Sequence, residues 1–264
     1  MTLPIYQVDA FADRVFSGNP AAVMPLADWL ADDVLQSVAM ENNLSETAFL
    51  VEKDAAYELR WFTPAVEVDL CGHATLAAAH VLFEHLGYTA EEIVFHTRSG
   101  ELRVSRSGAG LTLDFPARTL EPVNVDMDIC RALGAMASEA IAPAGESGPL
   151  LCVYEFEEDV AGLSPDFAAL KAASERPVIA TAPGDSCDVV SRFFAPQVGI
   201  DEDPVTGSAH CSLVPYWARR LHKDALQCRQ ISARGGRLAC ELRGDRVFMT
   251  GTGVTFMQGE VSGV

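Results

Sequence analysis

The sequence predicts an α+β fold of two homologous halves. Each half is predicted as a mixed, barrel-like sheet wrapped around a central helix, with a pseudo-twofold axis relating the two. Three observations support this: a ten-residue segment recurs, each copy leads through a glycine turn into a helix, and the first helix is apolar on every side. Because a helix without a polar face must be surrounded by other elements, strands on all sides of it are expected.

The repeat is visible in the letters. Residues 60–69 read RWFTPAVEVD and residues 192–201 read RFFAPQVGID, which agree at five of ten positions. The first copy continues through Gly72 into a helix predicted over 74–83, and the second through Gly207 into a helix that starts near 209. The shared order of strand, turn and helix predicts a duplication. Pro215 lies inside the second helix and should kink it.

Apolar runs bounded by turn residues predict the strands. In the first half they cover residues 5–11, 21–24, 47–51, 57–62, 93–97, 101–105 and 111–115, with a hairpin turn at 107–110. In the second half they cover residues 150–156, 178–182, 187–194, 230–233, 237–243 and 246–250, followed by a last strand at 254–257. The predicted domains are residues 1–117, joined by the terminal strand 253–264, and residues 118–252, with a linker at 118–125.

Composition restricts the function. The chain has 264 residues, of which 49% are hydrophobic and 21% charged, as in globular proteins. The net charge of −18 disfavours nucleic-acid binding, because such a surface repels phosphates. No apolar run approaches the roughly 20 residues of a membrane helix, and the N-terminus has no secretory pattern. We therefore expect a cytoplasmic protein that has neither nucleic acid nor membrane as a partner.

Cofactor and metal motifs are missing from the sequence. The seven cysteines are widely spaced without a C-x-x-C pair, and the six histidines form no H-E-x-x-H. This spacing predicts free thiols and no metal site. Neither a dinucleotide fingerprint nor a phosphate-binding loop occurs, so no cofactor is expected.

Glu46 is the most prominent candidate for chemistry. Alternation along the strand places it on the same face as Leu44, Ala48 and Leu50. A carboxylate on an apolar face is desolvated, which favours the protonated form and suits proton transfer. The alternative is an edge-strand glutamate that reaches solvent.

The two glycine turns are candidate anion sites. Helix N-termini present free N–H groups, so the amides near Gly72-His73 and Gly207-Ser208 could hold a carboxylate. Alternatively, His73 and Ser208 only cap their helices. Asp203 lies five residues before Ser208, where it could either face the site or stabilise its own turn.

Cys71 occupies the position before the first glycine, and Thr206 the matching position in the second copy. A thiol at a helix N-terminus can be reactive. A cysteine in an apolar environment is more often simply buried.

Taken together, these motifs resemble the PhzF family of phenazine-biosynthesis isomerase-like proteins, within the diaminopimelate-epimerase-like fold. The resemblance covers nearly the whole chain. It rests on VDAF at 8–11, FSGNPAAV at 16–23, NLSETAF at 43–49, FTP at 62–64, LCGHAT at 70–75 and GIDEDPVTGSA at 199–209.

The resemblance implies two similar domains with a cleft between them. In the phenazine enzyme a glutamate moves a proton between carbons of a dihydro-hydroxyanthranilate ring without a cofactor. The positions that match its catalytic residues are Glu46, His73, Asp203 and Ser208. The positions assigned to substrate binding are Gly72, Gly207, Asn19 and Cys71. Related epimerases and proline racemases use two cysteines, one in each turn; here Thr206 replaces the second, so that two-thiol reaction is not available.

The predicted function is a PhzF-like, cofactor-independent isomerase that moves a proton on a small carboxylate by acid/base catalysis centred on Glu46. A homodimer is expected. Two alternatives are a non-catalytic protein that binds a metabolite or a partner on the same fold, and an amino-acid racemase or epimerase that relies on Cys71 alone.

Overall fold

The computed structural model describes residues 2–108, 110–145 and 148–263. The chain divides into two compact units, Met1–Asp114 with Thr250–Val264, and Phe115–Met249. Both units combine strands with helices, so the predicted α+β class is confirmed. Ala109, in the predicted hairpin turn, lies outside the described residues.

The first unit contains two helices, α1 (Asp32–Asn42) and α2 (Gly72–Glu84). Its strands are β1 (Thr2–Ala10), β2 (Asn19–Leu26), β3 (Glu46–Lys53), β4 (Ala56–Phe62), β5 (Glu67–Val68), β6 (Glu92–Thr97), β7 (Gly100–Ser107), β8 (Gly110–Pro116) and β18 (Gly253–Ser262). β8 extends two residues past the unit's boundary.

The second unit contains four α-helices, α3 (Met127–Leu133), α4 (Glu157–Ala161), α5 (Phe167–Ala173) and α6 (His210–Leu221), and short 3-10 turns at Pro196–Val198 and Gly207–Ala209. Its strands are β9 (Leu120–Val123), β10 (Glu139–Pro143), β11 (Leu150–Val153), β12 (Val178–Pro183), β13 (Val189–Ala195), β14 (Ile200–Asp203), β15 (Ala225–Gln230), β16 (Gly236–Arg243) and β17 (Arg246–Gly251).

Strand pairing follows the same scheme in both units. In the first, β18, β1, β2, β3, β4, β6 and β7 are neighbours in that order. In the second, the order of neighbouring strands is β9, β10, β11, β12, β13, β15 and β16. In both units the successive strand pairs are antiparallel, antiparallel, parallel, antiparallel, parallel and antiparallel. This agreement supports the duplication inferred from the repeat.

α2 is the central helix of the first unit. Every residue from Gly72 to Phe83 except His80 is buried, as its apolar sequence predicts. The helix packs against β1, β2, β3 and β18. α6 occupies the equivalent crossover in the second unit, where it packs against β15 and β16 and continues through Pro215.

An arginine clamp recurs in both units. Arg60 makes a two-pronged ion pair with Glu67 and lies 5.1 Å from the Phe62 ring centre. Arg192 makes the same pair with Glu202 and lies 5.0 Å from the Phe194 ring centre.

The two glutamates occupy matching sheet positions, although they do not align in the sequence repeat. Glu67 lies opposite Phe62, and Glu202 lies opposite Phe194. The aligned residue of the second copy is Gly199, because the 3-10 turn Pro196–Val198 lengthens the connection. The sequence repeat is therefore also a repeat of contacts, with Glu202 as the counterpart of Glu67.

Some elements differ from the prediction. The segment 118–125, predicted as a linker, contains β9, which pairs with β10. The strand predicted at 230–233 is observed at Ala225–Gln230. In that strand Gln230 is fully buried and hydrogen-bonded, so a polar residue occupies a core position and conceals the alternation.

Candidate active site

Glu46 stands where three segments of the first unit meet. It is the first residue of β3, and the parallel pairing of β2 with β3 places it beside Ala21. Asn19 begins β2, and His73 is the second residue of α2. A Cβ on Gly18 would lie 2.2 Å from the carbonyl oxygen of Ala10, and its φ is +68°, so only glycine fits before Asn19.

Glu46 and His73 form a nearly buried pair. Oε2 of Glu46 lies 3.0 Å from Nε2 of His73, and the two side chains are 13% and 5% exposed. The contact is close but lies off the line of a well-formed hydrogen bond, and neither atom has another hydrogen-bond partner among the described residues. Glu46 therefore faces a ring nitrogen rather than bulk solvent, which is the inward orientation predicted from the strand pattern.

Two further side chains hold the imidazole. The Ser45 hydroxyl donates to Oδ1 of Asn19 at 3.2 Å, and Nδ2 of Asn19 lies 3.2 Å from Nδ1 of His73. Nδ2 of Asn19 can donate to Nδ1 only while that nitrogen is unprotonated, as in the neutral ring with its proton on Nε2, toward Glu46. Asn19, predicted to bind substrate, is fully buried against this ring. Ser45 is a site residue that the sequence analysis did not single out.

The pKa values of His73 and Cys71 depend on each other and on Glu46. Burial alone lowers the pKa of His73, but Cys71 and Glu46 outweigh it and raise that pKa well above its ordinary value. Burial and the nearby Glu46 carboxylate raise the pKa of Cys71, against the opposing effect of His73. Cys71 is therefore a neutral thiol at neutral pH, so its share in raising the pKa of His73 applies only where the thiol has ionised.

Cys71 lies beside the ring without taking part in the Glu46 contact. Its Sγ is 3.5 Å from Nδ1 of His73, and the residue is buried. We expect iodoacetamide to alkylate it slowly at pH 7 and faster as the pH rises, because the thiolate is the reactive form. Peptide mass spectrometry across a pH series measures this directly. Rapid alkylation of Cys71 at pH 7 would contradict the assigned protonation state.

The residues of the second glycine turn form a separate network. Asp203 is buried, and its Oδ2 accepts a hydrogen bond from the Thr206 hydroxyl. The amide of Thr206 donates to Oε1 of Gln230 at 2.8 Å, and Nε2 of Gln230 donates to the Asp203 carbonyl at 2.7 Å. Asp203 thus stabilises its own turn, as the structural alternative proposed. Nothing in the sequence pattern pointed to Gln230.

His73 and Ser208 do not cap their helices, which was the alternative to a functional role. The N-cap of α2 is Cys71, and that of the following 3-10 turn in the second unit is Thr206, each without a side-chain cap. His73 instead turns its ring toward Glu46 and Asn19. Gly72 and Gly207 are both buried, whereas Ser208 is half-buried.

Among the described residues, two groups of side chains could hold a metal ion. In each, the ligand atoms all lie within 4.8 Å of one another: Glu46 with Cys71 and His73, and His210 with Cys228 and Cys240. The members of each group are distant in sequence or lack a recognised spacing, so the motif search that predicted no metal could not detect them.

Comparison with known proteins decides the family. The model of the family described as phenazine biosynthesis-like protein matches residues 8–259. The chain belongs to the PhzF family. A PhzF-family crystal structure from Enterococcus faecalis is 48% identical, covers 99% of both chains and superposes with a TM-score of 0.94. The predicted family and fold are confirmed.

Some curated relatives of the PhzF chain are named isomerases. One from Pseudomonas aeruginosa, named an uncharacterized isomerase, is 53% identical over 99% of each chain. One of the same name from Halalkalibacterium halodurans is 44% identical, again over 99% of each chain. With this similarity over its full length, the chain is an isomerase-type enzyme, as predicted.

Fold similarity extends beyond the family. A probable proline racemase from Agrobacterium radiobacter superposes with a TM-score of 0.66 at 11% identity and covers 98% of this chain and 93% of its own. At that identity the similarity shows the fold alone.

No helix among the described residues is long and apolar enough to cross a bilayer.

Proposed function

We propose that the protein is a cofactor-independent isomerase that moves a proton between carbon positions of a small carboxylate, with Glu46 as the acid/base group. The observation that carries this proposal is the contact of Glu46 with His73, 3.0 Å apart and nearly buried. A positioned carboxylate can accept a proton from a substrate carbon and return one, and the neighbouring imidazole fixes its place.

The proposed reaction begins when the carboxylate of Glu46 takes a proton from a carbon next to an activating group. The C–H bond breaks, an O–H bond forms on Glu46, and the electron pair is delocalised into the substrate. The O–H proton of Glu46 exchanges with solvent, and delivery of a proton from Glu46 to another carbon then shifts a double bond, with no net oxidation. His73 is proposed to steady the charge on Glu46 through Nε2, while Asn19 and Ser45 hold the ring. Fixed donors of this kind need no reorganisation during the reaction.

Capture of an anionic substrate must be local. The net charge of −18 provides no long-range attraction, whereas the N-terminus of α2 offers amides and carries no acidic residue in its first turn. We propose that the amides of Gly72 and His73 hold the substrate carboxylate. Gly207 and Ser208 are proposed as substrate-binding residues from the family resemblance alone. Asp203 and Ser208 are proposed, from the family resemblance, to support the proton transfer.

This placement predicts where an anion binds. In crystals grown or soaked with a small carboxylate such as acetate, density should appear within hydrogen-bond distance of the amides at Gly72-His73 or Gly207-Ser208. Anions found only at exposed arginine side chains would contradict the proposed carboxylate site.

A thiol-dependent racemase is the second candidate, because Sγ of Cys71 lies 3.5 Å from the same imidazole. Replacing Cys71 with alanine distinguishes the two. Under the Glu46 proposal this variant keeps nearly normal activity, whereas a single-thiol racemase would lose it.

The test of the function uses solvent deuterium as the probe. A cell metabolite extract is incubated in D2O with and without the protein, and carbon-bound deuterium is detected by mass spectrometry. An isomerase of the proposed kind adds deuterium to at least one small carboxylate. A protein that only binds a metabolite or a partner would leave every mass unchanged.

A further inference from the structure

A second cluster of reactive side chains lies in the core of the second unit. His210 begins α6, Cys228 lies in β15 and Cys240 in β16. Their exposed fractions are 0%, 3% and 3%. One ring nitrogen of His210 and both sulfur atoms lie within 4.8 Å of one another. The proposed reaction uses none of the three.

The strand register explains how the cysteines meet. In the antiparallel pair of β15 and β16, Cys228 lies opposite Leu238 and Cys240 opposite Leu226. The two cysteines are therefore diagonal neighbours on one face of the sheet. Diagonal Cα atoms are about 7–8 Å apart, beyond the ordinary disulfide range of about 4.4–6.8 Å. The thiols converge in space, but the backbone does not favour a bond between them.

The orientation of His210 leaves one nitrogen free for a ligand. Nδ1 lies 3.0 Å from the carbonyl oxygen of Thr206. Because a carbonyl only accepts, Nδ1 carries the proton and Nε2 of the neutral ring carries a lone pair. Nε2 is buried and has no hydrogen-bond partner in the described part of the chain. Metal-binding histidines commonly have this arrangement, with the other ring nitrogen donating to a backbone carbonyl.

We propose that Nε2 of His210 and the sulfur atoms of Cys228 and Cys240 bind one thiophilic metal cation, with zinc(II) as the favoured ion. In tetrahedral coordination at about 2.3 Å, neighbouring thiolates are about 3.8 Å apart. The observed separations of up to 4.8 Å need an inward movement of about 1 Å at most. Two thiolates and one divalent cation also form a neutral group, which limits the cost of burying it.

The two cysteines influence each other's protonation. Contact with Cys240 lowers the pKa of Cys228 to about 6, helped by His210 and opposed by burial. Burial and the neighbouring Cys228 raise the pKa of Cys240 well above its ordinary value. Cation binding needs both sulfur atoms as thiolates and would displace the protons that they carry.

The position of the cluster suggests a structural role for the metal. His210 is hydrogen-bonded to the carbonyl of Thr206, and Gln230 is bonded to Thr206 and to Asp203. Gln230 lies on the same strand as Cys228. A cation shared by α6, β15 and β16 would therefore brace the turn that carries Asp203. This site does not depend on the proposed isomerase reaction.

The test is metal content of the intact protein. Cells that express it are grown with added zinc(II), cobalt(II) or copper(I)-generating medium, and the protein is purified anaerobically without chelators. Elemental analysis should give about one equivalent per chain with zinc. The cobalt form should show the near-ultraviolet charge-transfer absorption of thiolate coordination. The variant C228S/C240S should lose both signals and melt at a lower temperature than the zinc-loaded wild type.

Two controls separate this site from other thiols. The variant C130S/C152S removes two buried cysteines of the same unit that lie outside the cluster, and it should keep the metal. Cys71→Ala should keep it as well. The proposal is overturned if the wild type holds less than about a tenth of an equivalent of every ion, if its cobalt spectrum lacks the thiolate band, or if only Cys71→Ala loses the metal. The wild-type measurements decide the matter even if the double variant fails to fold.

Discussion

Replacing Glu46 with glutamine is expected to lower turnover by about 10²–10⁴-fold, the usual contribution of a positioned acid/base group. The amide keeps the shape of the side chain and its place at the start of β3, but it cannot carry the proton between carbon atoms. Ligand binding should persist, so the loss should appear in kcat rather than in KM. Steady-state kinetics on a compound found by deuterium labelling measures both constants.

The controls for this variant come from the same strand and the same site. Glu46→Asp should also lose much of its activity, because shortening the side chain by one carbon misplaces the carboxylate. Glu52→Gln alters an exposed glutamate of β3 and should leave kcat unchanged. Full activity in Glu46→Gln would move the chemistry to another group.

Replacing Arg192 with methionine is expected to lower the free energy of unfolding by about 2–4 kcal/mol. The guanidinium is 13% exposed and pairs with both oxygens of Glu202 at 2.8 Å. It also donates to the carbonyls of Val160 and Leu163 at 3.3 and 2.8 Å. Methionine would leave a largely buried carboxylate and two carbonyls without this partner. Urea denaturation with an unchanged m-value measures the loss.

Two companion variants test the reason for this loss. Arg131→Met removes an exposed pair with Asp128 and should cost no more than about 0.5 kcal/mol. Adding Glu202→Met to Arg192→Met should restore part of the stability, because it removes the stranded charge. If Arg192→Met is as mild as Arg131→Met, the clamp does not stabilise the second unit as described.

The sequence predicted the central features of the fold because they depend on local patterns. An apolar helix without a polar face has only one stable environment, and α2 is buried as that pattern requires. Glu46 faces His73 from the start of β3, but that strand is buried on both faces from Thr47 to Val51, so alternation alone did not distinguish them. The sequence repeat aligned Arg60 with Arg192, and the structure shows that each forms the same kind of clamp. In each case the residues that carry the signal are close together in the chain.

The features that the sequence did not reveal depend on long-range contacts. Asn19 contacts His73, and Ser45 contacts Asn19, because β2 and β3 pair in parallel. Gln230 occupies a core position through hydrogen bonds to the distant turn, and no periodicity predicts such a bond.

The cysteine cluster was missed for a related reason. Motif searches for metal sites depend on short spacings, whereas Cys228 and Cys240 are brought together by the register of two strands and meet His210 from a helix. The assignment of Glu202 as the counterpart of Glu67 likewise required the strand pairing, because an added turn shifts the alignment.

The central claim is that Glu46 transfers a proton to and from carbon. Its most direct test compares deuterium incorporation from D2O by the wild type, Cys71→Ala and Glu46→Gln. The compound is the one labelled by the wild type in a metabolite extract, and carbon-bound deuterium is followed by NMR under identical conditions. The account predicts labelling by the wild type and at nearly the same rate by Cys71→Ala, and a rate lower by about 10²-fold or more in Glu46→Gln. Equal labelling by Glu46→Gln and the wild type, or loss of labelling in Cys71→Ala alone, would contradict it.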